Sequence, residues 1–91
     1  MATERREIYF SGRVQGVGFR YTARDIASRF SVRGFVKNLA DGRVLLVAEG
    51  TSVVLDRFLE AIASEMDRFI ENQQVATLRP TDEFSTFEIR R

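Results

Sequence analysis

The chain contains 91 residues, 44% of them apolar, and its 14 basic and 13 acidic side chains leave a formal net charge of +1. This length suits one domain, residues 1–91, with a single core, and the near balance of charge excludes the strong cationic field that draws many proteins to nucleic acids or anionic membranes. The absence of cysteine and histidine excludes disulfides, thiolate nucleophiles, histidine-based catalysis and the usual zinc ligands.

The first predicted element is a strand over residues 8–14, where apolar side chains alternate with polar ones. It leads into Gly12-Arg13-Val14-Gln15-Gly16-Val17-Gly18-Phe19-Arg20, a turn with three glycines before a predicted helix. Glycines at this spacing let backbone N–H groups converge on an anion, and the helix adds the positive end of its dipole. The Arg20 side chain would add a planar cation suited to two phosphate oxygens. The sequence therefore predicts a phosphate-binding loop formed by this arginine and the backbone amides of Gln15, Gly16, Val17, Gly18, Phe19 and Arg20.

Two nucleotide-binding motifs do not fit this loop, and a purely structural turn stays open as an interpretation. The Walker pattern is a glycine, then four residues of any type, then Gly-Lys followed by serine or threonine. If Gly12 is the first glycine, Val17-Gly18-Phe19 stands where Gly-Lys-Ser or Gly-Lys-Thr is required. The dinucleotide fingerprint requires glycine or alanine where this chain has Tyr21. Because glycines between a strand and a helix often serve only to turn the chain, the anion-binding interpretation depends on what lies beside the loop.

An amphipathic helix and a β-hairpin are predicted next. The hairpin strands are residues 32–37 and 43–49, and the Asp41-Gly42 pair between them is a strong turn signal. The residues that repeat at helical spacing before the hairpin are Phe19, Ala23, Ile26, Ala27 and Phe30.

A second helix is predicted after Gly50, with Thr51 or Ser52 as its N-cap. Residues 75–79 and 86–90 are predicted as the last strands, while the segment 66–75 has no glycine or proline that would mark a turn.

The predicted order of elements is βαββαβ with a short additional strand at the C-terminal end. This order predicts an α+β, ferredoxin-like sandwich, in which two helices cover one face of a mixed, largely antiparallel sheet. A helical crossover returns the chain in the same direction, so the strands before and after the first helix should end at the same rim of the sheet. The loop follows one of these strands and Asn38 closes the other, and we therefore expect Arg20 and Asn38 to be neighbours.

Asn38 has two interpretations. An asparagine at the start of a turn commonly bonds its own backbone. Beside an anion-binding loop, its carboxamide could instead orient a water molecule, because it donates and accepts hydrogen bonds at the same time.

Two segments of the chain closely resemble the acylphosphatase family. They are the loop from Gly12 to Arg20 and the run Gly34-Phe35-Val36-Lys37-Asn38-Leu39-Ala40-Asp41-Gly42-Arg43-Val44. The resemblance continues through Ala48-Glu49-Gly50 to the terminal Phe87-Glu88-Ile89-Arg90. It implies a ferredoxin-like fold and the hydrolysis of an acyl phosphate to a carboxylate and inorganic phosphate, without a metal or a covalent intermediate. Arg20 would then be the phosphate-binding arginine and Asn38 the residue that orients the attacking water.

Two other function classes stay open at this point. A catalytically weak module could keep the anion-binding loop and act by binding a partner protein. An RNA-binding domain has the same order of elements, and Arg33-Gly34-Phe35 begins like its signature, but Val36-Lys37-Asn38 does not continue it.

The remaining expectations concern partners and location. We expect no cofactor and no metal, because the acidic residues are scattered and no Asp-x-Asp pair occurs. The expected partner is a small acyl phosphate, with inorganic phosphate or sulfate as inhibitor and with no nucleic acid or membrane. No apolar run is long enough to span a bilayer and no secretory signal is evident, so we expect a cytoplasmic location. The resemblance to small acylphosphatases implies a monomer.

Overall fold

The computed structural model describes residues 2–91 and contains five strands and two α-helices within that range. The elements in chain order are β1 (Thr3–Gly12), α1 (Phe19–Ala27), β2 (Arg33–Asn38), β3 (Val44–Thr51), α2 (Ser52–Glu65), a short 3₁₀ helix (Asp67–Phe69), β4 (Ile70–Leu78) and β5 (Phe87–Arg90). The strands form one sheet in the order β4-β1-β3-β2-β5, with β2 and β5 parallel and every other neighbouring pair antiparallel. The ferredoxin-like α+β fold predicted from the sequence is therefore confirmed.

The main core lies between the sheet and the two helices, because one side of each central strand is apolar. Ile8 and Phe10 of β1, Val36 of β2 and Leu46 of β3 are fully buried there. The helices contribute Ala23, Ile26, Leu55, Phe58 and Ile62 to the same cluster. On the opposite face of the sheet, a smaller cluster joins Phe35, Val47 and Phe84. The helices thus cover one face, as expected, and the segment before β5 covers part of the other.

Several element boundaries differ from the sequence-based expectation, and the largest differences are in β1, α1 and β4. β1 begins at Thr3 and ends at Gly12, and α1 ends at Ala27 rather than at Phe30. The segment 66–75, to which no element was assigned, holds the 3₁₀ helix and the first part of β4. The run Glu71-Asn72-Gln73-Gln74 has low β-propensity. Its strand nevertheless pairs with β1 at the edge of the sheet, where the side chains of β4 are exposed to solvent and can be polar. Of the two predicted N-cap candidates, Thr51 is the N-cap of α2, and its side chain accepts a hydrogen bond from Val54 N at 3.4 Å.

No helix among residues 2–91 combines the length and the apolar character needed to cross a membrane.

A buried carboxylate, Glu49, attaches the segment before β5 to the sheet. Its oxygens accept hydrogen bonds from Thr81 N at 2.8 Å, from the Thr81 hydroxyl at 3.0 Å and from Asp82 N at 3.0 Å, and Arg5 lies 3.3 Å away. Burial alone would raise the pKa of the Glu49 carboxyl, but these donors outweigh it and hold the pKa below its ordinary value. The segment is therefore held by a charge that is fully satisfied when ionised.

We expect Glu49→Gln to lower the free energy of unfolding by about 3 kcal/mol at pH 7, because the amide nitrogen cannot accept the hydrogen bonds of Thr81 or Asp82. A folded-state pKa below the unfolded-state pKa gives stabilisation that is complete above the ordinary carboxyl pKa and is lost as the pH falls through the lower value. Urea unfolding should therefore separate wild type from variant at pH 7 and much less in acid. Glu83→Gln is the control, because Glu83 contacts the same Arg5 but is 56% exposed, and it should cost under about 1 kcal/mol. Equal stability of wild type and Glu49→Gln at pH 7 would show that this anchor does not stabilise the fold.

Candidate anion-binding and catalytic site

The loop between β1 and α1 is anchored at both ends and turns at two glycines. Val14 is fully buried, and Phe19 is 2% exposed with its ring centroid 4.9 Å from that of Phe10. Gly16 and Gly18 have φ angles of 76° and 80°, a left-handed conformation that residues with a side chain rarely adopt. A Cβ at either position would meet no atom within 4 Å. The glycines are thus needed for the backbone path, and the space in front of them is open.

The backbone N–H groups of this loop have no partner in the described part of the chain. Within residues 2–91, none of the amides from Gln15 to Arg20 donates a hydrogen bond to a backbone or side-chain acceptor. Gly18 is the N-cap of α1 and supplies no capping side chain. Free donors at the positive end of a helix are suited to an anion.

Asn38 is the last residue of β2 and lies opposite Val44 in the register with β3. The turn that follows is closed by Leu39 N to Arg43 O at 2.8 Å, and Asp41 supplies the side-chain bond to the backbone, from Arg43 N at 3.0 Å. The Asn38 carboxamide itself makes no hydrogen bond to any residue in the range 2–91. The turn-forming role considered for Asn38 is filled by Asp41, and the Asn38 amide is left available.

Arg20 and Asn38 line one pocket, although they lie eighteen residues apart in the sequence. The pocket has a volume of about 110 Å³. They are brought together because β1 and β2, both antiparallel to β3, run in the same direction and end at the same rim of the sheet. The residues that line the pocket are Val14, Gly16, Gly18, Phe19, Arg20, Tyr21 and Asn38.

Two residues of the predicted loop, Gln15 and Val17, do not line the pocket. The Gln15 side chain turns toward the β2–β3 turn, and Val17 packs against the main core. Their backbone amides still belong to the set of free donors described above.

The Arg20 guanidinium has no acidic partner. Within the described chain no carboxylate lies within 4.0 Å of it, whereas Arg5, Arg6, Arg29, Arg33, Arg43 and Arg90 all form ion pairs. Its Nη1 donates a hydrogen bond to the carbonyl oxygen of Arg90 in β5 at 3.4 Å. Arg20 is thus held at the pocket by a neutral acceptor, and its charge is not compensated by the protein.

Sequence reasoning missed two contributors to this site, Tyr21 and the carbonyl of Arg90. Tyr21 lines the pocket and is 58% exposed, and the Arg24 guanidinium lies 5.4 Å from its ring centroid. A large aromatic residue on the polar side of an amphipathic helix, next to Arg20, was the available signal. The Arg90 carbonyl had no such signal, because it comes from the opposite end of the chain.

A larger depression, of about 470 Å³, lies between α1 and α2. Its charged residues are Asp25, Arg29 and Glu65, and Arg29 is already paired with Asp25 at 3.2 Å. It contains no unpaired cation, so an anion is better matched by the smaller pocket. Residues 2–91 hold no cluster of three acidic side chains arranged to hold a metal ion.

Comparison with known proteins identifies relatives over nearly the whole chain. Residues 6–89 match the model of the family described as Acylphosphatase. An acylphosphatase from Methanospirillum hungatei is 39% identical over 89 residues, which cover 97% of this chain and 98% of that protein. An acylphosphatase from Archaeoglobus fulgidus is 55% identical over 58 residues, which cover 64% of this chain and 65% of that protein.

The fold is also similar to solved structures. The crystal structure of acylphosphatase from Bacillus subtilis superposes with a TM-score of 0.86 at 33% identity, covering 97% of this chain and 99% of that one.

Proposed function

Since this chain belongs to the acylphosphatase family, whose reaction is the hydrolysis of acyl phosphates to a carboxylate and inorganic phosphate, we propose that its loop, Arg20 and Asn38 carry out that reaction. The observation that carries the assignment of residues is the shared pocket. Arg20 and Asn38 line the same 110 Å³ cavity beside the unpaired amides of the loop.

The phosphoryl group is bound by the loop amides and by Arg20. Free N–H donors at the N-terminus of α1 match phosphoryl oxygens, and the planar guanidinium forms charge-assisted hydrogen bonds with two of them. The uncompensated charge of Arg20 supports this role, because a guanidinium without a carboxylate partner interacts fully with an arriving anion. These donors also stabilise the negative charge on the phosphoryl oxygens in the transition state.

Asn38 orients the water molecule that attacks phosphorus in line with the departing carboxylate. Its carboxamide accepts a hydrogen bond from water while its N–H₂ donates to a phosphoryl oxygen. A carboxylate is a good leaving group and needs no general acid, which suits a chain without histidine. The proton of the attacking water passes to the phosphate of the substrate itself, and no covalent enzyme intermediate forms.

The size of the pocket limits what the protein encloses. Pockets that bury whole drug-sized ligands are about 300–1,000 Å³, so a cavity of about 110 Å³ holds little more than the phosphoryl group. The acyl group would then lie at the mouth, beside the exposed ring of Tyr21. We therefore propose small acyl phosphates as the substrate class, with modest selection among acyl groups.

The RNA-binding alternative finds no support at the sheet surface. An RNA-binding sheet exposes aromatic rings on which bases stack. Here Phe35 is only 9% exposed. Its ring centroid lies 5.8 Å from that of Phe84 and 4.2 Å from the Arg90 guanidinium, so the ring is covered by this chain's own side chains.

Both residues of the proposed site come from one chain, and one core joins both helices to β1, β2, β3 and β5. We therefore propose that residues 1–91 act as a single domain and as a monomer. We also propose the cytoplasmic location that the sequence predicts.

The proposed reaction predicts turnover of acetyl phosphate by the purified protein in the presence of a metal chelator, with competitive inhibition by inorganic phosphate or sulfate. The measurement is the steady-state release of phosphate with and without the chelator. Loss of activity in chelator would show that a metal is required. Hydrolysis no faster than in buffer, with phosphate still bound, would instead identify an anion-binding module.

A further inference from the structure

Gln15 connects the anion-binding loop to the turn that follows Asn38. Its side-chain Nε2 donates one hydrogen bond to the carbonyl oxygen of Leu39 at 2.8 Å and another to that of Arg43 at 2.9 Å. A primary amide nitrogen carries two hydrogens, so both donors are used. Both distances lie within the ordinary range for N–H···O hydrogen bonds.

The two carbonyls are the ones that close the turn. Arg43 O also accepts from Leu39 N at 2.8 Å, and Leu39 O accepts from Gly42 N at 3.2 Å. The Gln15 amide therefore binds the base of the turn, directly after Asn38, rather than its tip. In the described part of the chain, no other hydrogen bond joins residues 13–18 to residues 38–43.

We propose that Gln15 is a positioning residue, which sets the distance and angle between the phosphate held by the loop and the carboxamide of Asn38. This inference rests on the proposed function and assigns the Gln15 side chain a role separate from that of its backbone amide. The loop turns at Gly16 and Gly18 between its two buried ends, and Asn38 is the last residue of β2, so the Gln15 hydrogen bonds are the direct link between the loop and the turn after Asn38. An error of about 1 Å between reacting groups can reduce a rate by about 10²-fold.

Glutamine is well matched to this position. A glutamate carboxylate has the same length, but it has no hydrogen to donate and would repel both carbonyl oxygens and an incoming phosphate. An asparagine is one methylene shorter and cannot span the same gap without movement of the loop. The connection requires a neutral group with two hydrogens at this distance.

The test is a double-mutant cycle on acetyl phosphate turnover. We expect Gln15→Ala to lower kcat about 10- to 100-fold, while the inhibition constant of inorganic phosphate changes less than about threefold, because Arg20 and the loop amides remain. In an Asn38→Ala background, Gln15→Ala should lower kcat less than about threefold, because the residue that it positions is gone. Gln15→Glu should lower kcat at least as much as Gln15→Ala. Gln74→Ala, which removes an exposed glutamine on β4, is the matched control and should retain the wild-type kcat.

Each outcome distinguishes this inference from the proposed function. Circular dichroism at the assay temperature confirms that every variant is folded, so that kcat reports the folded enzyme. If wild type hydrolyses acetyl phosphate but Gln15→Ala reduces kcat by the same factor with and without Asn38, Gln15 does not act through Asn38. A wild-type kcat in Gln15→Ala would equally overturn the inference. If wild type itself shows no turnover, the proposed function fails first.

Discussion

Replacing Arg20 by alanine is expected to lower kcat/KM for acetyl phosphate by about 10³-fold, with KM raised and kcat lowered together. The guanidinium is the only charged side chain that lines the pocket in residues 2–91, and the protein supplies it with no carboxylate partner. It therefore interacts with the phosphoryl group in the ground state, which sets KM, and more strongly in the transition state, which sets kcat. Steady-state kinetics over a wide substrate range separates the two parameters.

Two further variants make this experiment specific. Arg20→Lys keeps the charge but loses the planar fork, so its kcat/KM should fall between those of wild type and Arg20→Ala. Arg29→Ala removes an arginine just beyond the end of α1, 65% exposed and paired with Asp25, and should leave both parameters unchanged. The stability of Arg20→Ala should change by less than about 1 kcal/mol, because the side chain makes one long hydrogen bond within residues 2–91, to the carbonyl oxygen of Arg90. A kcat/KM within threefold of wild type for Arg20→Ala would exclude this residue from the site.

The site could be predicted from sequence where its geometry follows from local rules. Gly16 and Gly18 indicated a turn whose backbone amides could converge on an anion without side-chain obstruction, and in the structure both glycines have left-handed φ angles with open space in front of them. Phe19 begins the apolar face of α1 and is buried, so Arg20, the next residue, lies outside the buried face of the helix. The placement of Asn38 required one topological rule, that a helical crossover returns the chain in the same direction, and the common pocket follows from it.

The parts that could not be predicted depend on hydrogen bonds between distant residues. The Gln15 side chain reaches carbonyls 24 and 28 residues further along the chain, and Arg20 reaches one 70 residues away. Backbone carbonyls occur at every residue, so no residue type marks the ones that a side chain will reach. Glu49 presents the same difficulty, since an acidic residue near the end of a strand suggests exposure until Thr81 and Asp82 are placed over it.

The start of β4 was missed for a different reason. Amide and acidic side chains at 71–74 do not favour a strand by propensity, but pairing with β1 supplies the hydrogen bonds that local sequence does not indicate. The strand lies at the edge of the sheet, where eight of its nine residues are exposed. Hydrophobic alternation, the main sequence signal for a strand, is therefore weak there.

Replacing Asn38 by alanine is the second change with a large expected effect, a fall in kcat of about 10²- to 10³-fold with little change in KM. The carboxamide makes no hydrogen bond within the described chain, so its removal leaves no buried group without a partner and should not alter the fold. Phosphate binding is carried by Arg20 and the loop amides, which the variant keeps. The loss should therefore concern the attacking water and the one hydrogen bond that the Asn38 N–H₂ donates to a phosphoryl oxygen in the transition state, and it is measured as kcat at saturating acetyl phosphate.

Asn38→Asp tests whether the reaction requires the carboxamide at this position or only a polar side chain that can accept a hydrogen bond from water. A carboxylate accepts a hydrogen bond from water as well as the amide does, but it cannot donate to a phosphoryl oxygen and repels the dianion. We therefore expect Asn38→Asp to lose at least as much kcat as Asn38→Ala and, unlike it, to raise KM. Asn72→Ala, on the exposed edge strand, is the matched control and should retain wild-type kinetics. Full activity of Asn38→Ala would mean that water is oriented by another group, and the roles of Asn38 and of the Gln15 connection would both have to be abandoned.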